Sequence, residues 1–272
     1  MTHNKKSFFT LAEVLATLVI LGVVAAITIP STITRARHRE FVTKAKKTYA
    51  ALEQATEIWM VEEGCIGDIN ICIAQINNRR LNSPHGFDGI ARNLNIVAST
   101  TYIQTLDKNK VDISEQALQQ IDWLPDKATQ YNGSAQVHSW EAVSKVGGGG
   151  TNQPVGLYLL KDGTTISLQF PDANRQSGFG FFDVNGKKGP NKVGVDVYPF
   201  GFGIPYRTPQ QKQQNEEIFG SYAFGINPFY VEDNTGGAGL CIVRNGNESH
   251  CTNDMRNNPT AYLLKHNEIP NR

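Results

Sequence analysis

Twenty-one consecutive residues, Val14 to Thr34, carry no formal charge. As a helix such a run is about 30 Å long, enough to cross the hydrocarbon core of a bilayer. No other apolar run in the 272 residues approaches that length, so one span carrying a single head is expected. A hydrophobic content of 40%, a charged content of 19% and a net charge of +1 exclude wholesale disorder and provide no general attraction for nucleic acid. Roughly 200 residues remain beyond the run, enough for one sizeable domain. At the head of the run stands one carboxylate, Glu13. A charge in a span costs about 2.5–3.5 kcal/mol even on insertion scales, so it persists with a partner or a task.

A cleaved secretory signal has an apolar stretch of only about 7 to 15 residues and a small-residue cut site. Here the run continues without a turn signal into "STITRARHREFVTKAKKTYAALEQATEIWMVEEG". Val42, Ala45, Tyr49, Leu52, Thr56 and Trp59 recur at alternating spacings of three and four, which lays a stripe along one helix face. Gly64 supplies a stop, and Pro30 is the only residue inside expected to bend the helix. One helix is therefore expected from about Thr10 to Glu63, its first half in lipid and its second half under the head.

"FTLAEVLATLVILGVVAAITIP" resembles the N-terminal segment of the type IV pilin superfamily, which includes pilus subunits and the pseudopilins of type II secretion systems. In that family a prepilin peptidase removes a short basic leader before a Phe, the new N-terminus is methylated, and a Glu lies fifth in the mature chain. Cleavage between Phe8 and Phe9 places Glu13 fifth and Pro30 twenty-second, where the family commonly has a Pro. The resemblance covers about residues 5 to 63. It implies a leader over 1–8, a transmembrane and assembly helix over 9–30, its continuation over 31–64, and an extracytoplasmic head over 65–272. It departs at Phe8, because the leader usually ends in Gly and a bulky ring there is expected to slow the peptidase. The implied task of Glu13 is to meet the freed amine of a neighbouring subunit, each charge lifting the other's burial penalty. Without a second subunit, Glu13 would snorkel to the headgroups.

The implied partners are other pilin or pseudopilin subunits, the prepilin peptidase, an inner-membrane assembly platform and the lipid bilayer. Between Arg35 and Lys47 lie six Lys or Arg and one Glu. The positive-inside tendency alone would draw that side to the cytoplasm. The leader resemblance implies the opposite: a cytoplasmic N-terminus, a single pass through the inner membrane, and a periplasmic or extracellular head. The basic band would then face lipid headgroups or solvent, or meet Glu53, Glu57, Glu62 and Glu63 of another copy.

The cysteines suit an oxidising compartment. Cys65 and Cys72 are separated by six residues, Cys241 and Cys251 by nine, and no Cys-x-x-Cys occurs. Four cysteines allow three connectivities; the two local pairs are expected, and pairing across the chain stays open.

Residues 65–150 read as a helix and loop region, with short helices in "PHGFDGIARNLNIV" and "SEQALQQIDWL" and a flexible Gly147–Gly150. Over 151–272 the period becomes two. Val155, Leu157 and Leu159 share a face, Lys161-Asp162-Gly163 turns the chain, and Ile166, Leu168 and Phe170 return. "GFFDVNG" and "KVGVDVYPFGF" continue the pattern, with Val193, Val195 and Val197 alternating. The apolar face of this antiparallel meander needs cover, and the stripe of Tyr49, Leu52 and Trp59 offers it. The expected fold is α+β and pilin-like.

"DVNGKKGPNKVGVDV" holds four oxygen donors, Asp183, Asn185, Asn191 and Asp196, of the kind Ca²⁺ takes in sets of about six to eight. The resemblance adds that some pseudopilins hold calcium in a comparable loop. The spacing is not that of an EF-hand, and Asn-Gly and Pro-Asn also serve simply as turns. No nucleophile elbow, zinc-protease helix or Walker loop is present, so catalysis is not expected. The reading is a structural, minor subunit of a type IV pilus or type II secretion pseudopilus. The alternative is a tethered binding protein or adhesin that never polymerises.

Overall fold

The structure, a computed structural model, describes residues 10–79, 88–103, 121–125, 128–129, 136–137, 154–169, 178–204, 206, 208–228, 230–232, 238–240 and 259–269. Phe8, Phe9, Phe170, Gly147–Gly150, Cys241 and Cys251 lie outside these residues, as does most of "SEQALQQIDWL". The chain divides into two compact units, Met1–Glu40 and Phe41–Arg272.

In the first unit the described residues belong almost entirely to helix α1 (Leu11–Glu63), with Pro30 inside it. The helix is long and apolar enough to cross a membrane, and none of its most apolar stretch is buried. Its few hydroxyls are spent on its own backbone. Thr28 donates to the Val24 carbonyl (2.8 Å), Ser31 and Thr32 to that of Thr28 (2.9 and 3.0 Å), and Thr34 to that of Pro30 (3.0 Å). Such back-bonding lets polar side chains sit where no water can satisfy them.

In the second unit α1 buries Ala45, Tyr49, Leu52, Thr56 and Trp59 of the expected stripe, together with Phe41, Thr48, Ala55 and Met60. Val42 is half-buried. The helix ends in a Schellman motif: the Cys65 amide donates to Met60 (3.0 Å), the Gly64 amide to Val61 (3.2 Å), and Gly64 takes φ 73°. A side chain at that left-handed position would be strained, which is why the stop is Gly. Helix α2 (Ile69–Arg79) follows at once, tied back by a Cys65–Cys72 disulfide with Cα atoms 5.6 Å apart. Helix α3 (Asp88–Ala91) is the short helix expected in "PHGFDGIARNLNIV".

Six strands form one antiparallel sheet in the order β1 (Ile96–Ile103), β4 (Pro154–Leu160), β5 (Thr165–Gln169), β6 (Gly178–Asp183), β7 (Val197–Phe202) and β8 (Ile226–Asn227). Two small ribbons stand apart from it, β2 (Ala128–Thr129) with β3 (Gln136–Val137), and β9 (Tyr230–Glu232) with β10 (Ala238–Leu240). The turn between β4 and β5 falls at Lys161–Gly163 as expected, closed by the Gly163 amide on Leu160 (3.0 Å) and the Leu160 amide on Thr164 (2.8 Å). Strand β1 corrects the expectation of a helix and loop region over 65–150. Helices α4 (Pro209–Phe219) and α5 (Pro259–His266) interrupt the β-rich half.

Tyr158, Leu160, Ile166, Leu168, Phe182, Tyr198, Phe200 and Phe202 join the α1 stripe in one core. The Tyr49 hydroxyl donates to the Ile226 carbonyl there (3.2 Å). Leu157, expected on the same face as Ile166, is not in that core: it pairs with Ser167, whereas Ile166 pairs with Tyr158. Leu157 is nonetheless buried, lining a small cavity with Trp123, Leu124, Ser167, Phe181 and Asp183. A sheet covered on both faces buries every strand residue, so alternation no longer marks the core side. All six residues of β7 are buried for the same reason. The strand begins only at Val197; Val193 and Val195 belong to the turn-rich segment before it.

Candidate functional site

Glu13 is the third residue of α1, and Thr10 is its N-cap. The Thr10 amide and hydroxyl donate to Glu13 Oε2 (2.7 and 2.9 Å), and the Glu13 amide donates back to Thr10 Oγ1 (3.3 Å). This is a capping box, satisfying two groups that a helix start otherwise leaves open. Its signature, Thr-x-x-Glu, stands in the sequence at 10–13. Glu13 therefore has partners within its own chain.

Of the basic band, Arg35, Arg37 and Arg39 are exposed in the first unit. In the second, Lys46 bonds Asn267, and Lys47 pairs with Asp162 (3.2 Å) in the β4–β5 turn. Glu62 of the acidic set lies 3.9 Å from Arg92. Burial and then the Glu57 charge raise the Glu53 carboxyl. Lys47 and Glu62, both offered to a second copy, thus already have partners in their own head.

The four oxygen donors flank one connection, the segment from Asp183 at the end of β6 to Asp196 before β7. The Asn185 amide donates to Asp183 Oδ1 (3.1 Å). The Asn191 and Lys192 amides donate to Asp196 Oδ2 and Oδ1 (2.8 and 2.6 Å). The Val184 amide meets the Asp196 carbonyl (2.9 Å), which brings the two ends together. Gly186 packs so closely on the β4–β5 turn that a Cβ would stand 2.8 Å from the Gly163 carbonyl oxygen. Asn191 takes φ 48°, a left-handed conformation that Asn tolerates better than most residues.

Both carboxylates are buried, Asp183 to 1% and Asp196 to 0% exposure. Burial first, and the Asp196 charge second, push the Asp183 carboxyl up to about 8, against weaker opposing bonds from the Asn185 and Gly186 amides. Burial raises Asp196 too, partly offset by hydrogen bonds from Lys192, Asn191 and Asn185. Among the described residues neither carboxylate is paired with a Lys or Arg. Three further acceptors are buried with no donor: Asp183 Oδ2, Asn185 Oδ1 and Asn191 Oδ1.

Unsatisfied oxygens beside two buried carboxylates make an all-oxygen donor set with which none of Lys187, Lys188 and Lys192 in the same connection forms an ion pair. It fits a hard divalent cation that accepts carboxylate and amide oxygens. It does not fit zinc, whose sites are built from thiolate and imidazole. No three His, Cys, Asp or Glu converge among the described residues. That is consistent with a set in which two of the four donors are amides.

A third buried carboxylate escaped the sequence reading. Asp68, inside the Cys65–Cys72 loop, accepts Asn70 N and Nδ2 at Oδ1 (3.1 and 3.0 Å) and Tyr206 Oη and Lys212 Nζ at Oδ2 (2.7 and 2.9 Å). Lys212 also lies over the rings of Tyr206 and Phe224, 5.3 and 5.1 Å from their centroids. Nothing in the local sequence signals this knot, since Tyr206 lies 138 residues from Asp68. Both Asp68 oxygens have donors, although the Asn70 Oδ1 beside them has none, and the knot reads as a clasp rather than a binding site.

The fold and these sites define a class: an α+β protein whose first helix is anchor-length and lipid-compatible at its start and core-forming at its end. No family model matches the chain, and no curated protein or solved structure is significantly similar to it.

Proposed function

We propose that this protein is a membrane-anchored subunit of a helix-cored filament, of the kind built by type IV pilins and type II secretion pseudopilins. The observation that carries the reading is the division of labour along α1. Leu11 to Ile33 present exposed apolar side chains, whereas Phe41 to Met60 bury a stripe in the head core. A helix wholly exposed and apolar over its first half needs lipid or other copies of itself around it. In a filament, parallel copies would replace lipid with one another, and Glu13 would meet the freed amine at Phe9 of a neighbour. The head would then lie outside the cytoplasm, and the inner membrane would hold the subunit before assembly.

A tethered binding protein that never polymerises is the second reading, favoured by the capping box, which occupies Glu13 without any second copy. The presence or absence of the wild-type chain in sheared surface filaments separates the two, and Glu13→Gln tests what the charge does. Gln at this helix position closes a capping box as Glu does, but it carries no charge. The filament reading expects Glu13→Gln and Glu13→Ala both to insert and fold, and both to lose sheared surface filaments at least tenfold on immunoblot. Wild-type filament yield from Glu13→Gln would leave Glu13 a capping residue alone, and absence of the wild-type chain from filaments would remove the filament reading.

A further inference from the structure

We propose that the small cavity on the sheet face turned away from α1 is a binding site for a primary ammonium group, with Asp183 as its counter-ion. The strand register builds the site. Ile166 and Phe182 point into the core that α1 shares, so Thr165, Ser167, Phe181 and Asp183 belong to the opposite face. There Thr165 stands opposite Asp183, Ser167 opposite Phe181, and Leu157 of β4 opposite Ser167. Trp123 and Leu124, from a segment outside the sheet, complete the lining.

Three observations point to the ligand. Asp183 is almost fully buried, and its Oδ2 has no hydrogen-bond partner among the described residues, whereas Oδ1 accepts the Asn185 amide in the β6–β7 connection (3.1 Å). Among the described residues no Lys or Arg is paired with it, and the nearby Asp196 adds a charge of the same sign. The Ser167 hydroxyl beside it is already engaged: it accepts the Phe181 amide (3.2 Å) and donates to the Phe181 carbonyl (3.4 Å). Buried acceptors ordinarily have donors, so Asp183 Oδ2 calls for one from outside the chain. Water would supply the hydrogen bond and leave the charge unanswered; an ammonium supplies both. Size narrows the choice further. The cavity has room for about one water molecule, which admits an ammonium head but neither a guanidinium nor a quaternary ammonium. Phe181 and Trp123 give that head aromatic neighbours, which attract cations. Trp123 is only half-buried, so the tail of the ligand leaves past it to solvent.

The test is isothermal titration calorimetry on the full chain in a nonionic detergent, in amine-free phosphate buffer containing a chelator, so that no metal ion contributes. The probes are methylammonium, Nα-acetyl-lysine amide and tetramethylammonium. Saturable binding of methylammonium at one site per chain is expected, and none of tetramethylammonium. Binding of the lysine derivative as well would assign the site to a lysine side chain of a polypeptide partner; binding of methylammonium alone would assign it to a free small amine. Asp183→Asn keeps the shape of the side chain and removes its charge, and should weaken methylammonium binding roughly tenfold or more. Leu157→Phe, which fills the cavity and leaves Asp183 in place, makes the same comparison if Asp183→Asn does not fold. No binding of methylammonium to the wild type would overturn the proposal and leave the cavity to water. Equal binding by a folded variant, or tetramethylammonium bound as tightly as methylammonium, would overturn it too. None of these results bears on whether the protein forms filaments.

Discussion

Asp68 shows what one buried carboxylate needs. Four donors from three parts of the chain reach it, and the Asp68 hydrogen bond is the main influence raising the Lys212 ammonium. Lys212→Met keeps the aliphatic contact with Tyr206 and Phe224 but removes one charged donor. Lys212 is well exposed, so solvent screens part of the pair and the expected cost is about 1–2 kcal/mol. Asp68→Asn/Lys212→Met should cost less than the two single changes added together, because they share one interaction. Urea unfolding of the four proteins measures that coupling. Strict additivity would mean that the clasp contributes nothing to stability. The Glu13 box is the same principle at a helix start and was legible in Thr-x-x-Glu; the Asp68 clasp was not, because its donors come from distant segments.

Helix α1 is the element on which the fold turns. Leu52 is fully buried at the middle of its stripe. Leu52→Ala should destabilise the head by about 2–5 kcal/mol, the usual cost of emptying a packed site. The same change at Leu18, exposed in the apolar run, should leave head stability unaltered. Thermal unfolding of detergent-solubilised chain tests the contrast; equal losses would show that the two halves do not do different work. The stripe, the Gly64 stop and the β4–β5 turn were readable because each depends on local spacing. Helix α4 had a signal that passed unread: Thr208 caps it through the Gln211 amide (3.2 Å), and Pro209 opens it. Strand β1 had one too, since "IVASTTYI" is rich in the β-branched and aromatic residues that strands favour, and it pairs with β4.

For the whole molecule, the filament-subunit proposal requires a chemical step, leader removal. Phe8 places a ring where a pilin peptidase takes a small side chain, yet Glu13 and Pro30 stand where a processed subunit would need them. N-terminal sequencing of protein from membranes is expected to find Phe9 first, with Phe8→Gly cleaved faster. A chain still beginning at Met1 or Thr2 would deny Glu13 a neighbour's amine and leave the tethered reading. A start at Phe8 would shift the register by one. The Cys65–Cys72 bond belongs to this scale as well, because its persistence reports the compartment of the head. A non-reduced digest should recover that link; free thiols there would reverse the proposed orientation.

By itself the sequence determined that one apolar helix begins the chain, that it continues as an amphipathic helix to Gly64, and that an antiparallel α+β head follows. These are properties of periods and run lengths, which any neighbour along the chain can reveal. Only the tertiary structure decided which face of a central strand such as β7 meets α1, because all its residues are buried and there the pattern of two loses its meaning. It also decided that Asp183, Asn185, Asn191 and Asp196, four donors on a turn-rich segment, share a buried connection with unmet oxygens. Burial is a property of what packs over a loop, and no spacing within the loop encodes it.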